Sequence, residues 1–164
     1  MEHLWAPWRG RYVQQGLAPS GCLFCVVGAS SADVENLVVR RADRCFVLLN
    51  RYPYTSGHLM VAPYAHIGRL AEADPETLSE MMTLAQAAEV HLQSVYRPHG
   101  FNMGLNLGES AGAGVPGHLH LHVVPRWTGD ASFMTTVGDT RVLPEDLAIT
   151  RQRLAEAFAS SLSL

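Results

Sequence analysis

Gly117-His118-Leu119-His120-Leu121-His122-Val123-Val124-Pro125-Arg126-Trp127 alternates imidazole with aliphatic side chains before reaching a proline. Successive side chains of a β-strand point to opposite faces, so the pattern predicts a strand over 118–124. His118, His120 and His122 then share one face, and Leu119, Leu121 and Val123 the other. One face packs and the other is left for chemistry. Same-face neighbours stand roughly 6.5 to 7 Å apart, within reach of a common phosphate or metal ion. Pro125 has no N–H to give and is expected to end the ladder. The run from Gly108 to Gly117 (GESAGAGVPG) leads into this strand. Its glycines permit the close backbone approach and positive φ angles with which N–H groups cradle an anion.

The rest of the chain supplies partners for such a strand. Leu37-Val38-Val39-Arg40 and Cys45 to Asn50 are β-branched and aromatic runs joined by a polar turn, a hairpin pattern. Arg51 to Gly57 reads as a loop and His58 to Pro63 as a third strand, with Phe101 to Leu107 as a fourth. Asp74-Pro75-Glu76 is a helix start: a capping side chain, a proline at the first helical position and an acidic first turn. Leu78, Met81, Ala85, Ala88, Leu92 and Val95 then recur at helical spacing until Arg97-Pro98-His99-Gly100. Pro144-Glu145-Asp146 opens a last helix carrying Leu147, Leu154, Phe158 and Leu162. Hairpin-linked strands with one long helix between them predict an α+β domain on an antiparallel sheet.

At 164 residues the chain is expected to form a single domain, 1–164. Within it, 1–21 is an irregular segment, 22–127 the core and 128–164 an extension ending in the helix. Charged residues are 16% and apolar residues 48%, a balance that a buried subunit interface accounts for. A net charge of -3 argues against a general nucleic-acid binder, so no stable nucleic-acid partner is expected. No apolar run suggests a membrane span or an export signal, and Cys22, Cys25 and Cys45 are an odd set. Both features point to a reducing, cytoplasmic setting, with Cys22-x-x-Cys25 a metal or redox motif and Cys45 an inert core residue. Trp5, Trp8 and Tyr12 are expected to pack against the domain or a partner subunit.

The His118-x-His120-x-His122 row followed by Val123 and Val124 resembles the signature of the histidine triad (HIT) family of nucleotide hydrolases and transferases. Asn50, Gly57-His58, Pro63, His66, Asn106 and Gly108 extend the resemblance over most of the chain. Trp127 to Pro144 is similar to a bacterial branch that includes diadenosine tetraphosphate phosphorylases. The resemblance implies a five-stranded sheet, a homodimer or higher oligomer, and a nucleotide as the small-molecule partner. It implies that His120, at the centre of the row, attacks the α-phosphorus of a nucleoside phosphoanhydride to give a nucleotidyl-histidine, which phosphate or water then releases. His122 is expected beside the phosphate oxygens, with His58 orienting the row and His118 as its remaining member. Asn50 is the expected ribose contact, although an asparagine there also starts a turn. Asn106, Gly108 and the backbone of Gly114, Val115, Pro116 and Gly117 are the expected phosphate contacts. Family members often carry a glutamine and a hydroxyl residue where this chain has Ala113 to Pro116.

The resemblance also implies structural zinc on Cys22, Cys25, His66 and His118, a Cys₂His₂ set, and a divalent cation travelling with the substrate phosphates. Other readings of the same residues are a purine nucleoside phosphoramidate hydrolase, a catalytically silent nucleotide sensor, and a cluster that only binds metal.

Overall fold

The computed structural model describes residues 21–130, 137 and 144–160. The expectations for Trp5, Trp8, Tyr12 and Leu162, and most of those for 128–144, lie outside these residues. The described elements are α1 (Leu23–Ala29), β1 (Val38–Arg41), β2 (Cys45–Leu49), β3 (Leu59–Pro63), α2 (Pro75–Tyr96), β4 (Gly100–Leu105), β5 (Leu121–Arg126) and α3 (Leu147–Ser160). The strands form one five-stranded sheet in the order β1-β2-β3-β5-β4, with every neighbouring pair antiparallel. The fold is the α+β arrangement that the sequence implies.

Strand alternation sorts side chains to two faces. Cys45, Val47 and Leu49 of β2, Leu59 and Val61 of β3, and Leu121 and Val123 of β5 join Leu92 of α2 and Leu154 of α3 in one aliphatic core. Phe46, Leu48, Met60 and Ala62 turn the other way and pack with Phe24 and Val27 of α1. Because Met60 pairs with His122 in the β3–β5 register, the histidines belong to this second face. It is covered by α1, a helix in a stretch without a helical period of apolar residues.

The long helix begins as its residues dictate. Asp74 accepts the Thr77 N–H at 2.7 Å, Pro75 follows, and Arg97 ends the helix in the left-handed region at φ 48°. Gly57, at φ 78°, lets the loop before β3 pass over this helix: a Cβ there would stand 2.8 Å from Leu92 Cδ2. The last helix starts later than the Pro144 signal suggests, because the Asp146 carboxylate accepts the Ala148 N–H at 2.7 Å and serves as the cap.

The central strand departs from expectation in both its bounds. Leu119 donates its N–H to Ile67 O at 2.6 Å instead of to β3, so 118–120 lies ahead of the ladder and β5 starts at Leu121. At the other end Pro125 does not stop the strand, since β4 pairs on through Phe101–Pro125 and Gly100–Arg126. The N–H and C=O of a strand residue point to the same neighbour. Pro125 O accepts from Thr55 Oγ1 at 2.8 Å, on the β3 side, so its missing donor also faces the side where β3 has ended.

Candidate active site and metal centre

His122 on β5, and His118 and His120 in the chain just ahead of it, lie on the face beneath α1, each nearly or fully buried. They do not act as a uniform row. His118 turns toward α1, where its Nδ1 lies 3.3 Å from Cys22 Sγ and 3.6 Å from Cys25 Sγ, and His66 Nδ1 lies 3.2 Å from Cys25 Sγ. The ligating atoms of Cys22, Cys25, His66 and His118 all fall within 4.8 Å of one another. Tetrahedral zinc with bonds of roughly 2.0 to 2.3 Å would set sulfur and nitrogen ligands roughly 3.5 Å apart, so these four residues fit the ion.

The chemistry of the set fits as well. His118 Nε2 lies 2.9 Å from Pro63 O, which only accepts, so the ring hydrogen sits on Nε2 and the Nδ1 lone pair faces the cysteines. Burial holds the His118 imidazole below its usual value, with the Pro63 bond working the other way, and a neutral ring is the ligating form. Burial and the neighbouring Cys22 raise the Cys25 thiol, a pressure that a bound cation reverses. Gly68 brings the His66 loop against the glycine-rich loop: a Cβ there would stand 3.1 Å from Pro116 O. Cys45 takes no part; it is fully buried and burial pushes its thiol up to about 12.

His120 and His122 form the second part of the site with His58 of the β3 approach. His120 Nδ1 lies 2.8 Å from His118 O, so the hydrogen is on Nδ1 and Nε2 carries the lone pair. Burial keeps this imidazole below its usual value, opposed by the His118 carbonyl, so the ring is neutral near pH 7. The His120 and His122 ring centroids are 5.0 Å apart and those of His58 and His122 5.1 Å. His58 Nε2 lies 2.9 Å from His122 Nδ1.

Two aromatic residues that sequence reasoning does not select complete the walls. Phe24, between the two cysteines, stacks on His120 at 4.8 Å and leans on His118 at 5.1 Å. Tyr54 packs on His58 at 4.6 Å and on His122 at 6.1 Å. Their positions, one inside Cys-x-x-Cys and one four residues before His58, are the only local hints.

The remaining expected residues are placed as follows. Asn50 is buried at the end of β2, and its Oδ1 accepts the Tyr52 N–H at 2.9 Å, so the turn-forming role is present. Gly108, at φ 83°, opens the short 3-10 turn Glu109–Ala111, and Asn106 lies just before it, after β4. Of Gly114, Val115, Pro116 and Gly117, Val115 packs against the α1 core and its carbonyl receives the His118 N–H at 3.3 Å. Arg126 lies away from this cluster, bonded to Asp130 at 2.6 and 2.9 Å and to Asn102.

Known proteins are similar to this chain in sequence and fold. The HIT domain family model matches residues 31–129, a stretch that begins after the cysteine pair. The AP-4-A phosphorylase of Mycobacterium tuberculosis (strain CDC 1551 / Oshkosh) is 41% identical over 97% of this chain and 85% of its own length. The asymmetrical bis(5'-nucleosyl)-tetraphosphatase of Schizosaccharomyces pombe is 29% identical over 63% of this chain and 56% of its own. Among solved structures, a Zn-bound histidine triad family protein from Mycobacterium smegmatis superposes with a TM-score of 0.70 at 30% identity, covering 85% of this chain and 94% of that one. With the family model matching more than half of the chain and a relative 41% identical over nearly all of it, the protein belongs to the HIT family.

Proposed function

We propose that the protein cleaves a dinucleoside polyphosphate, such as diadenosine tetraphosphate, through a nucleotidyl-histidine. The observation that carries this reading is the His120 tautomer: a buried neutral ring whose Nδ1–H is bound to a carbonyl keeps its Nε2 lone pair for attack. His120 Nε2 bonds to the α-phosphorus, the P–O bond to the rest of the substrate breaks, and its electron pair leaves with the polyphosphate. His122, beside the nucleophile, offers a hydrogen bond to the charge that develops. Phosphate then takes the nucleotidyl group to give ADP beside the departed ATP; water would give AMP. Phosphate is favoured because the 41% identical relative is named a phosphorylase.

Asn50, whose Oδ1 is occupied, would offer its amide hydrogens to a ribose, and Asn106, Gly108 and the 114–117 backbone would receive the phosphates, with their accompanying divalent cation. Zinc on Cys22, Cys25, His66 and His118 would fasten α1 and the 66–68 loop to the start of β5, a structural contribution; the geometry of the four donors supports it. A homodimer is supported by Met82 and Val90, exposed on α2, and by Met103, exposed on β4, the terminal strand of the sheet. No helix among the described residues is long and apolar enough to cross a membrane. The single-domain reading of 1–164 and the cytoplasmic setting are part of the same proposal.

The test is incubation with diadenosine tetraphosphate labelled at the α-phosphate. Label on His120, and ATP with ADP when phosphate is present, is expected. ATP and AMP regardless of phosphate would make the protein a hydrolase, and absence of any adduct or turnover would sink the enzyme reading. Light scattering that finds only monomer at micromolar concentration would end the dimer proposal.

A further inference from the structure

A helix of seven residues does not hold its own shape in water, so α1 depends on what fastens its two ends. At its start Cys22 is the N-cap, but its side chain makes no capping bond and no acidic residue follows in the first turn. The thiols of Cys22 and Cys25 face His118 and His66 instead. The last carbonyls of a helix lack partners within it, and here one side chain from the sheet binds two of them. Arg41, the last residue of β1, donates from Nη1 to Gly28 O at 2.9 Å and from Nη2 to Val27 O at 3.1 Å and to Ser30 O. Its Nε is bound to Asp33 Oδ1 at 2.9 Å, which fixes the plane of the guanidinium. The guanidinium carbon stands 5.9 Å from the centre of the Phe46 ring, its partner across the β1–β2 register. Gly28 lets the helix settle there, since a Cβ on it would stand 3.2 Å from Tyr64 Cδ1 and 3.4 Å from Phe46 Cε1. Between the two ends lies Phe24, stacked on His120 at 4.8 Å.

We propose that Arg41 is a positioning residue for the histidine face: it fastens the far end of α1 without metal, sets Phe24 against His120, and presents Cys22 and Cys25 as a preformed half of the metal site. The part that concerns catalysis rests on the nucleotidyl-histidine reading above. Two consequences separate this role from a general contribution to stability. Arg41 acts at the end of the helix opposite Cys22, yet zinc affinity depends on it, because cysteines on an unfastened helix must be ordered when the ion binds. The coupling is reciprocal, so metal at one end tightens the helix at the other, and Arg41 keeps the helix docked when the metal is gone. The second consequence concerns the nucleophile. A rod about 10 Å long, released at one end, can tilt, and Phe24 moves with it. The His120 ring then loses the wall that directs its Nε2, and attack slows although the nitrogen itself is unchanged.

The full-length parent, Arg41→Ala, Arg41→Lys and Asp33→Asn are compared below their melting temperatures. Zinc affinity is measured by competition with a chromophoric chelator, and Arg41→Ala should bind zinc about tenfold more weakly, within the usual span for coupled sites. Arg41→Lys keeps the charge and loses the fork, so it should resemble Arg41→Ala, and it carries the same comparison if the alanine variant does not fold. Asp33→Asn keeps an acceptor for Nε and leaves the carbonyl bonds in place, so it should bind zinc as the parent does. Equal affinity in the parent and the Arg41 variants overturns the proposal. A loss in Asp33→Asn as large as in Arg41→Ala overturns the assignment to the carbonyl bonds.

Amide hydrogen exchange over 23–29 is then followed with and without chelator. The chelated parent should retain protection and chelated Arg41→Ala should lose it. A chelated parent that exchanges as fast as the chelated variant overturns the metal-independent anchor, and this comparison decides even if the parent carries no zinc. With diadenosine tetraphosphate at saturation, label transfer to His120 per folded, zinc-loaded molecule should slow by about 10- to 100-fold in Arg41→Ala, the cost of a misplacement of up to roughly 1 Å. An unchanged rate overturns the link from Arg41 through Phe24 to His120. If the parent itself transfers no label, the enzyme reading fails, whereas zinc affinity and exchange still decide the anchor.

Discussion

The two faces of the sheet are built from the same strands and follow opposite rules. Toward α2 and α3, β5 presents Leu121 and Val123, which join a continuous aliphatic core. Toward α1, the neighbouring position of β5 and the chain just before it present His118, His120 and His122, all buried and each with a hydrogen-bonded nitrogen. The first face depends on volume and is indifferent to direction, since dispersion and the hydrophobic effect are not directional. The second depends on which nitrogen carries a hydrogen, and a wrong choice leaves a buried group unpaired. Stability and chemistry are thereby separated by one residue of register, and each can be damaged without the other.

The largest expected effect comes from removing the attacking nitrogen. His120→Asn should lower turnover by about four orders of magnitude or more, as when a covalent step is lost, while nucleotide binding survives. Steady-state kinetics with a binding titration check this. Near-normal turnover, or an adduct trapped on another residue, would break the assignment of chemistry to this face.

Metal removal tests whether the second face also contributes stability. Because structural zinc supplies folding free energy, chelation or Cys22→Ser should lower the melting temperature by roughly 10 °C. Metal content per chain and thermal unfolding are the readouts, neither of which needs activity. Protein purified without chelator that contains no metal and melts no lower after chelation would remove zinc from the account.

The converse change belongs on the packed face. Leu92 of α2 is fully buried in the aliphatic core, so Leu92→Ala should cost about 2 to 5 kcal/mol through lost burial and the cavity left behind. Turnover per folded molecule should be unchanged at temperatures where the variant is folded. Denaturant unfolding measures the first, and a fall in turnover matching the loss of stability would show the faces to be coupled.

What the sequence disclosed follows the same division. Periodicity and capping are local, so the faces of β5, the span of α2 from Pro75 to Tyr96 and the hairpin of β1 and β2 could be read from neighbours along the chain. The bounds of β5 could not, because Leu119 bonds to Ile67 and Pro125 is tolerated by where β3 stops, both tertiary facts. In the site, histidines and cysteines announce themselves by type. Phe24 and Tyr54 do not, since an aromatic residue reads as core until its partner across the fold is known. The division of labour within the histidine row was hidden for the same reason: His118 looks like its neighbours until the cysteines are placed beside it.

The smallest expected effect lies where a local rule alone is at work, at the start of α2. Asp74 Oδ1 accepts the Thr77 N–H at 2.7 Å and Oδ2 the Thr77 hydroxyl at 3.0 Å, with Arg44 at 3.3 Å. The Thr77 backbone bond, foremost, holds the carboxyl below its usual value of 3.8. A carboxyl whose value is depressed on folding stabilises the folded state at pH above that ordinary value, and the contribution is lost as pH falls through the folded one. Asp74→Asn keeps an acceptor for the Thr77 N–H and removes only the charge. The variant should therefore melt slightly below the parent at about pH 6, and the gap should close as acidification passes the ordinary carboxylate value and goes through the lower folded one. Turnover near neutrality should not change, because the residue lies at the end of a helix that covers the packed face. A gap that stays constant with pH would mean that the cap acts through shape and not charge. A change in turnover would show that the start of α2 reaches the histidines on the other side of the sheet.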